Sequence, residues 1–377
     1  MATTTVLPRR DAQQIADLLD SAEIVSLVAK LQETRWTGRP GYPLRAMVGM
    51  ALVKSLYGFP TWTRTVALVR DHAALQAVLG TTPSVYACYR FTAKLRDNAD
   101  MVEQCIGVLG ALHDAIPEMG TNIAIDASDL PAYANGQRYV SKGGREREVY
   151  SDPDASWGHR SAISTRKGGG FYGYKIDAAV CTTTGLPVAW NVRTARIHES
   201  STVPALLDQI DAHGFAPLTA ALDKGYDIAP VYDACMEHGI RPVIPLRQTP
   251  AVKAGYADAP TCAHGTWTFA GADTNRGATK WRCPTGECTP ASKWIMVDRL
   301  HPFIPRESAR FRKLYHQRGA VEREFGRLKH EWAMLPLRVR RIERVRLHAD
   351  LSILTRLAVR LDTERGAKET HGFASAA

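Results

Sequence analysis

The feature that most constrains this chain is a change of hydrophobic period near Thr121. Up to Leu112, apolar residues recur at helical spacing in DAQQIADLLDSAEIVSLVAKLQ, LRAMVGMALVKSLYG and TRTVALVRDHAALQAVL. Gly38-Arg39-Pro40-Gly41-Tyr42-Pro43 breaks that pattern once and Thr81-Thr82-Pro83 breaks it again. Beyond Thr121, short runs rich in β-branched residues take over: NIAIDAS, GYKIDAAVCT and LPVAWNVRT. A helical VPALLDQIDAHG, the run PLTAALD, a helical APVYDACMEHG and RPVIPLR follow. Strands followed by alternating helices and strands suggest a mixed α/β sheet flanked by helices. An all-α N-terminal domain is therefore expected over 1–115, and an α/β domain over 116–247 that resumes at 306–365.

Residues 248–305 are rich in Gly, Pro, Thr and Trp without clear periodicity. A structureless loop of that length is rare inside a domain, so a loop-rich or small β insertion after the fifth strand is expected. Two long helices are predicted after it, Glu307–Ala333 and Ile342–Thr363, with 366–377 as a frayed tail. There is no internal repeat, and 45% hydrophobic against 23% charged residues is the composition of a folded globular protein.

Charge narrows the class of partner. Forty-eight Lys and Arg against 38 Asp and Glu give +10 and a pI near 9.3, as expected of a protein that meets polyanions. From Arg306 to Arg346 there are thirteen Lys or Arg against five Glu, a local net of +8. The N-terminus MATTTVLPRRD has no apolar leader, and the best apolar stretch, Met47 to Phe59, is short and carries Lys54. No membrane partner is expected. Seven cysteines, an odd number, predict reduced thiols in a cytoplasmic setting rather than a disulfide framework.

The most specific local feature is Tyr315, Arg318, Glu322 and Lys329 in LYHQRGAVEREFGRLK. On one continuous helix the four fall within about 60° of a single face, beside an apolar stripe of Leu314, Val321, Phe325 and Leu328. A solvated face with an ordinary Arg318–Glu322 pair explains any one of them alone. As a set, four residue types at three fixed gaps are a stronger signal.

The set resembles the Tyr-(2)-Arg-(3)-Glu-(6)-Lys signature of bacterial insertion-sequence transposases of the Asp-Asp-Glu class, whose catalytic domain is ribonuclease H-like. Further stretches are similar to the same family: GRPGYPLRAMVGMALVKSLYG, FYGYKIDAAVCTTTGLPVAWNV, ARIHES and RPVIPLR. The resemblance implies an acidic triad, with Glu322 as its third member. It puts the first Asp at the end of the first strand, Asp126, and the second just after the fourth, Asp223. Asp129, Asp227 and Glu324 are the respective rivals. It implies two Mg²⁺ (or Mn²⁺) on Asp126, Asp223 and Glu322, and contacts from Tyr315, Arg318 and Lys329 to the DNA terminus. Such chemistry suits carboxylates, because in-line phosphodiester attack is assisted by two hard cations about 4 Å apart. His198 and Glu199 lie near the third strand, with an assisting or a structural role. The implied function is metal-dependent cleavage and strand transfer at the ends of a mobile element. The implied partners are double-stranded DNA, both terminal inverted repeats and target, and a second copy of the chain, with a nucleoid location. A same-fold nuclease without strand transfer and a catalytically inactive DNA-binding repressor are the alternatives.

In the insertion, Cys262, His264, Cys283 and Cys288 are ligand types that a structural Zn²⁺ favours. Their spacing is looser than that of standard ribbons, and free thiols with a surface His is the plainer reading. Trp267, Trp281 and Trp294 could stack on a flipped base or simply hold the insertion together. The N-terminal helices resemble the family's DNA-binding domain, although VYACYRFTAKL is more aromatic and less basic than that role suggests.

Overall fold

A computed structural model describes residues 8–34, 41–140, 144–160, 167–247 and 259–375. Seven helices come first: α1 (Ala12–Asp20), α2 (Ala22–Glu33), α3 (Leu44–Leu56), α4 (Trp62–Asp71), α5 (Ala73–Leu79), α6 (Val85–Asn98) and α7 (Met101–Ala115). Their starts follow capping chemistry, since side chains of Asp11, Thr61, Ser84 and Asp100 each accept from a backbone N–H in the first turn. The break at Thr81–Pro83 falls between α5 and α6, while 35–40 of the first break lies outside the described residues. The apolar stretch around Met50 is α3, buried on every side from Ala46 to Leu56. Gly49 permits this, because a Cβ there would meet Leu79 at 2.3 Å and Leu19 at 3.2 Å. No helix among the described residues is long and apolar enough to cross a membrane.

The central strand of the sheet is β1 (Asn122–Pro131). Three more strands precede its parallel neighbour: β2 (Ser156–Arg160), β3 (Gly169–Cys181) and β4 (Pro187–Thr194). β3 runs antiparallel along all of β1, from Ile123 opposite Cys181 to Pro131 opposite Gly173. Its outer edge carries β4 beside Tyr174–Val180 and β2 beside Gly169–Gly173. On the other side, β5 (Thr219–Ala221) pairs parallel with β1, and β6 (Arg241–Val243) pairs parallel with β5. Helices α8 (Val203–Ala212) and α9 (Ala229–Glu237) lead into β5 and β6. Antiparallel pairing among β1 to β4, followed by two parallel strands, makes the six-stranded mixed sheet ribonuclease H-like. β2 was not expected, because SWGHR has no apolar run; it is an edge strand held by its ladder rather than by burial.

The insertion is β-structured where described. β7 (Thr261–Cys262) and β8 (Gly265–Thr266) form a hairpin, and β9 (Thr268–Asp273), β10 (Ala278–Arg282) and β11 (Ser292–Met296) form an antiparallel meander. Trp267 and Trp281 are buried in its small core, whereas Trp294 stays half-exposed beneath Arg276 and Lys280. Residues 248–258 of the expected insertion lie outside the described residues.

Two expectations fail near the C-terminus. The single helix Glu307–Ala333 is two, α10 (Ala309–His316) and α11 (Gly319–His330), because the chain tightens at Gln317–Arg318 into three-residue turns. The final helix α12 (Ile342–Ser375) does not end at Thr363 but continues through 366–375, the described part of the expected tail. Its continuation holds good helix formers and no proline, and Arg365 grips Glu23 of α2 at 2.7 Å. α12 lies along α7 and packs on α3 and β4, so the N-terminal helices and the sheet share one hydrophobic core.

That core encloses His348, whose Nε2–H donates to the Met334 carbonyl at 3.3 Å. Burial, reinforced by the nearby Lys54 charge, pushes its pKa down to about 3. The unfolded chain therefore binds a proton below about 6.5 that the folded chain refuses, so stability falls as pH drops through that range. Urea unfolding between pH 7 and 5 is expected to show His348→Leu losing about 2 kcal/mol less over that range than the wild type. Parallel curves would show that His348 does not carry this acid sensitivity.

Candidate active site

Sheet register brings two acids together. The parallel pairing of β1 and β5 ends at Ala124 opposite Ala221, and Asp126 and Asp223 each stand two residues beyond that rung. A crevice opens there, at the carboxyl ends of the parallel strands, where ligands of open α/β sheets bind. The crevice, of about 1150 Å³, is lined by Asp126, Asp223, Glu199, Glu322, Arg318 and Lys329 among others. Asp126 does not end its strand as expected. β3 keeps pairing through Gly173, so β1 runs on to Pro131 and Asp126 stands mid-strand.

Each carboxylate is held differently. Asp126 Oδ1 accepts from the Ala127 N–H at 2.8 Å, and its Oδ2 accepts from Arg318 Nη1 at 3.0 Å. A fifth of its side chain remains accessible, yet burial raises its pKa to about 7 against the pull of Arg318, with Asp223 and Glu199 pushing further. Without a cation, Asp126 is thus poised between its charged and neutral forms near neutral pH. Asp223 caps the short turn Lys224–Tyr226, its Oδ1 accepting from the Gly225 N–H at 2.6 Å. Asp223 thus caps a turn and lines the crevice at once. Glu322 lies on α11 with 57% of its side chain exposed, and Arg318 Nη2 donates to it. One guanidinium therefore bridges Asp126 and Glu322.

Glu199 is the acid that sequence reasoning left undecided. A Cβ at Gly225 would meet Asp223 Oδ1 at 2.9 Å and Glu199 Oε1 at 3.3 Å, so glycine lets these two carboxylates close on the turn. Lys175 of β3 reaches Glu199 Oε2 at 3.4 Å. The loop that carries Glu199 is braced from below by a buried pair: Arg193 binds Asp177 at 2.6 and 2.8 Å and also donates to the Ile197 carbonyl. His198 also lines the crevice, while its Nδ1 engages Ser200 at 2.8 Å and caps the following turn. Tyr226 was missed altogether. Its hydroxyl is buried without a hydrogen-bond partner among the described residues, and burial together with the charges of Asp126, Glu199, Asp177 and Asp223 holds its proton on.

Of the helix signature, Arg318 and Lys329 reach the crevice, Lys329 donating to Ser128 Oγ of β1 at 2.6 Å. Tyr315 does not. The break before α11 puts it on α10, where its ring stacks on Phe311 at 6.0 Å beside Ala221, Val243 and Ile304. The opposite wall holds Trp157 and Arg160 of β2. Trp157 is 53% exposed, although its Nε1 donates to the Gly136 carbonyl at 2.8 Å. An exposed tryptophan in a run too polar to read as a strand was the available signal for this wall.

The rival acids are used elsewhere, apart from Asp129, which also lines the crevice from β1. Asp227 is fully buried, with Arg299 at 2.6 Å, the Arg247 N–H at 2.8 Å and the Tyr232 hydroxyl at 3.1 Å. Glu324 is fully buried against Arg356 at 3.1 Å and Arg327 at 3.5 Å.

Comparison with known proteins bears on what this crevice does. The family model described as Transposase DDE domain matches residues 118–357, and that described as Transposase domain (DUF772) matches residues 5–92. The chain belongs to the DDE transposases. As such it is an enzyme that acts on DNA and works with divalent metal ions. No curated protein sequence matches this transposase. Among solved structures it is similar to the piggyBac transposase synaptic complex with hairpin DNA, determined by cryo-EM. There the TM-score is 0.41 and the identity 14%, covering 96% of this chain and 76% of that chain.

The contrast between exposed and buried acids in this transposase yields a stability test. Asp227→Ala and Glu324→Ala each strand buried arginines and are expected to cost about 3–5 kcal/mol in urea unfolding. Asp223→Asn and Glu322→Gln relieve crowding in an open crevice and should change stability by less than about 0.5 kcal/mol. Equal losses in all four variants would contradict the division.

Proposed function

We propose that this transposase cuts and rejoins the ends of an insertion sequence by a cut-and-paste route, with Asp126, Asp223 and Glu322 as its metal-holding triad. The observation that carries the proposal is the convergence of these three carboxylates, from β1, the turn after β5 and α11, on one open crevice. Their donor atoms are hard oxygens, which suit Mg²⁺ or Mn²⁺ and leave room for water and phosphate. The partnerless Tyr226 hydroxyl fits the same assignment, since it is a spare donor beneath the acids. Two such cations, when bound, supply Lewis acidity to the scissile phosphate and stabilise the leaving 3′ oxygen.

The chain's own residues do the rest. Asp126, Asp223 and Glu322 would hold the cations. Arg318, which bridges Asp126 and Glu322, has a planar fork that would grip a phosphate bidentately, and Lys329 of α11 adds a point charge beside it. Glu199 sits against Asp223 and orients it or shares its load. Tyr315 fixes α10, and with it the entry to α11, rather than touching DNA inside the crevice. Trp157 offers a stacking face for a base at the terminus. On the N-terminal side, α6 exposes Tyr86 and Tyr89 with Arg90 stacked on Tyr86, the surface best suited to meet the inverted repeat. Cutting two ends calls for at least a dimer on DNA.

The deciding assay is cleavage of a labelled duplex carrying the flanking element ends, with Mg²⁺ or EDTA, for the wild type and Glu322→Gln. Metal-dependent cuts at the boundary that fall at least about a thousandfold in the variant, with DNA binding retained, are expected. Binding without cutting by either protein would favour a repressor, and cutting without joining to added target DNA would favour a nuclease.

A further inference from the structure

The insertion gathers three thiols from two separate turns. Cys262 lies at the β7–β8 hairpin, whose two-residue tip is Ala263–His264. Cys283 and Cys288 bracket the loop after β10, which is closed by the Cys283 N–H donating to the Ala291 carbonyl at 2.9 Å. The three sulfurs all lie within 4.8 Å of one another, with Cys262 and Cys283 at 3.9 Å. That separation is far beyond a disulfide, near 2.05 Å. It is close to the roughly 3.8 Å between sulfurs sharing a tetrahedral zinc with Zn–S bonds of about 2.3 Å.

Two further observations point the same way. The local core of the insertion is small, Trp267, Trp281 and Cys283 with a few half-buried neighbours, and modules with so little core are usually stapled by a metal or a disulfide. His264 stands outside the thiol cluster, but its Nδ1 lies 3.2 Å from Glu287, the residue before Cys288. A carboxylate on Nδ1 leaves Nε2 as the free ligand atom, the arrangement that orients metal-bound histidines. We infer that Cys262, Cys283 and Cys288, with His264 as fourth ligand, form a structural zinc site that staples the insertion. Soft thiolates select zinc over Mg²⁺, so this site and the acidic crevice take different metals. The inference is independent of the catalytic assignment.

The test uses the reduced full-length chain, measuring zinc by elemental analysis and replacing it with Co²⁺ for absorption spectroscopy. About one zinc per chain is expected after gel filtration. The Co²⁺ protein should show thiolate-to-cobalt charge transfer and the visible bands of a tetrahedral ion. Asp126→Asn and Glu322→Gln should keep both signals. Cys283→Ser should lose them, and His264→Ala should weaken Co²⁺ binding at least tenfold. Wild-type protein without a thiolate–cobalt band, or zinc content unchanged in the cysteine variant, would overturn the site even if a variant folded poorly. Full Co²⁺ affinity in His264→Ala would overturn the fourth ligand.

Discussion

Carboxylates that must stand close together in a partly dry crevice repel one another, and the fold around Asp126 is arranged about that cost. The parallel rung Ala124–Ala221 sets both Asp126 and Asp223 two residues out from the same line, so neither can retreat without breaking the sheet. Burial and the neighbouring charges raise Asp126 to about 7, and Arg318 is the internal cation that offsets the strain by bridging it to Glu322. Any positive charge that enters such a crevice relieves repulsion that the acids otherwise carry.

The surroundings keep those acids from escaping sideways. Gly225 leaves space for Glu199 to face Asp223, and the buried Asp177–Arg193 pair pins the loop that delivers Glu199. α11 packs on β1 and β3 through Val321, Phe325 and Leu328, which fixes the height of Glu322 above the sheet. Acids of similar sequence appearance, Asp227 and Glu324, are instead fully enclosed by arginines and tie the insertion and α12 to the core. The difference between the two groups is exposure and partner count, which only the folded chain defines.

Much of this was legible in the sequence, for physical reasons. The shift from helical to strand period at Thr121 pointed to the mixed sheet, and the apolar runs singled out Asp126 and Asp223, although Asp126 stands within its strand rather than after it. What escaped depends on contacts distant in sequence. β2 is polar and exists because β3 offers an open edge, so no periodicity announced it. The helix break at Gln317–Arg318 is a local tightening within helix-compatible residues, and it removed Tyr315 from the crevice although its spacing from Arg318 is helical. Glu199 and Trp157 come to the acids' crevice only through the sheet's crossings, whereas Tyr226 sits in the turn that Asp223 caps and is set apart by its burial, which the sequence does not show. The three cysteines lie on two turns whose meeting no spacing rule specifies.

The most direct test of the central claim is Mn²⁺ binding followed by electron paramagnetic resonance on the full chain with a cleaved element-end duplex. Two bound Mn²⁺ per active site are expected for the wild type, with the signal lost in Asp126→Asn, Asp223→Asn and Glu322→Gln alike. Unchanged Mn²⁺ stoichiometry and affinity in those three variants would contradict the assignment of the crevice as the metal site.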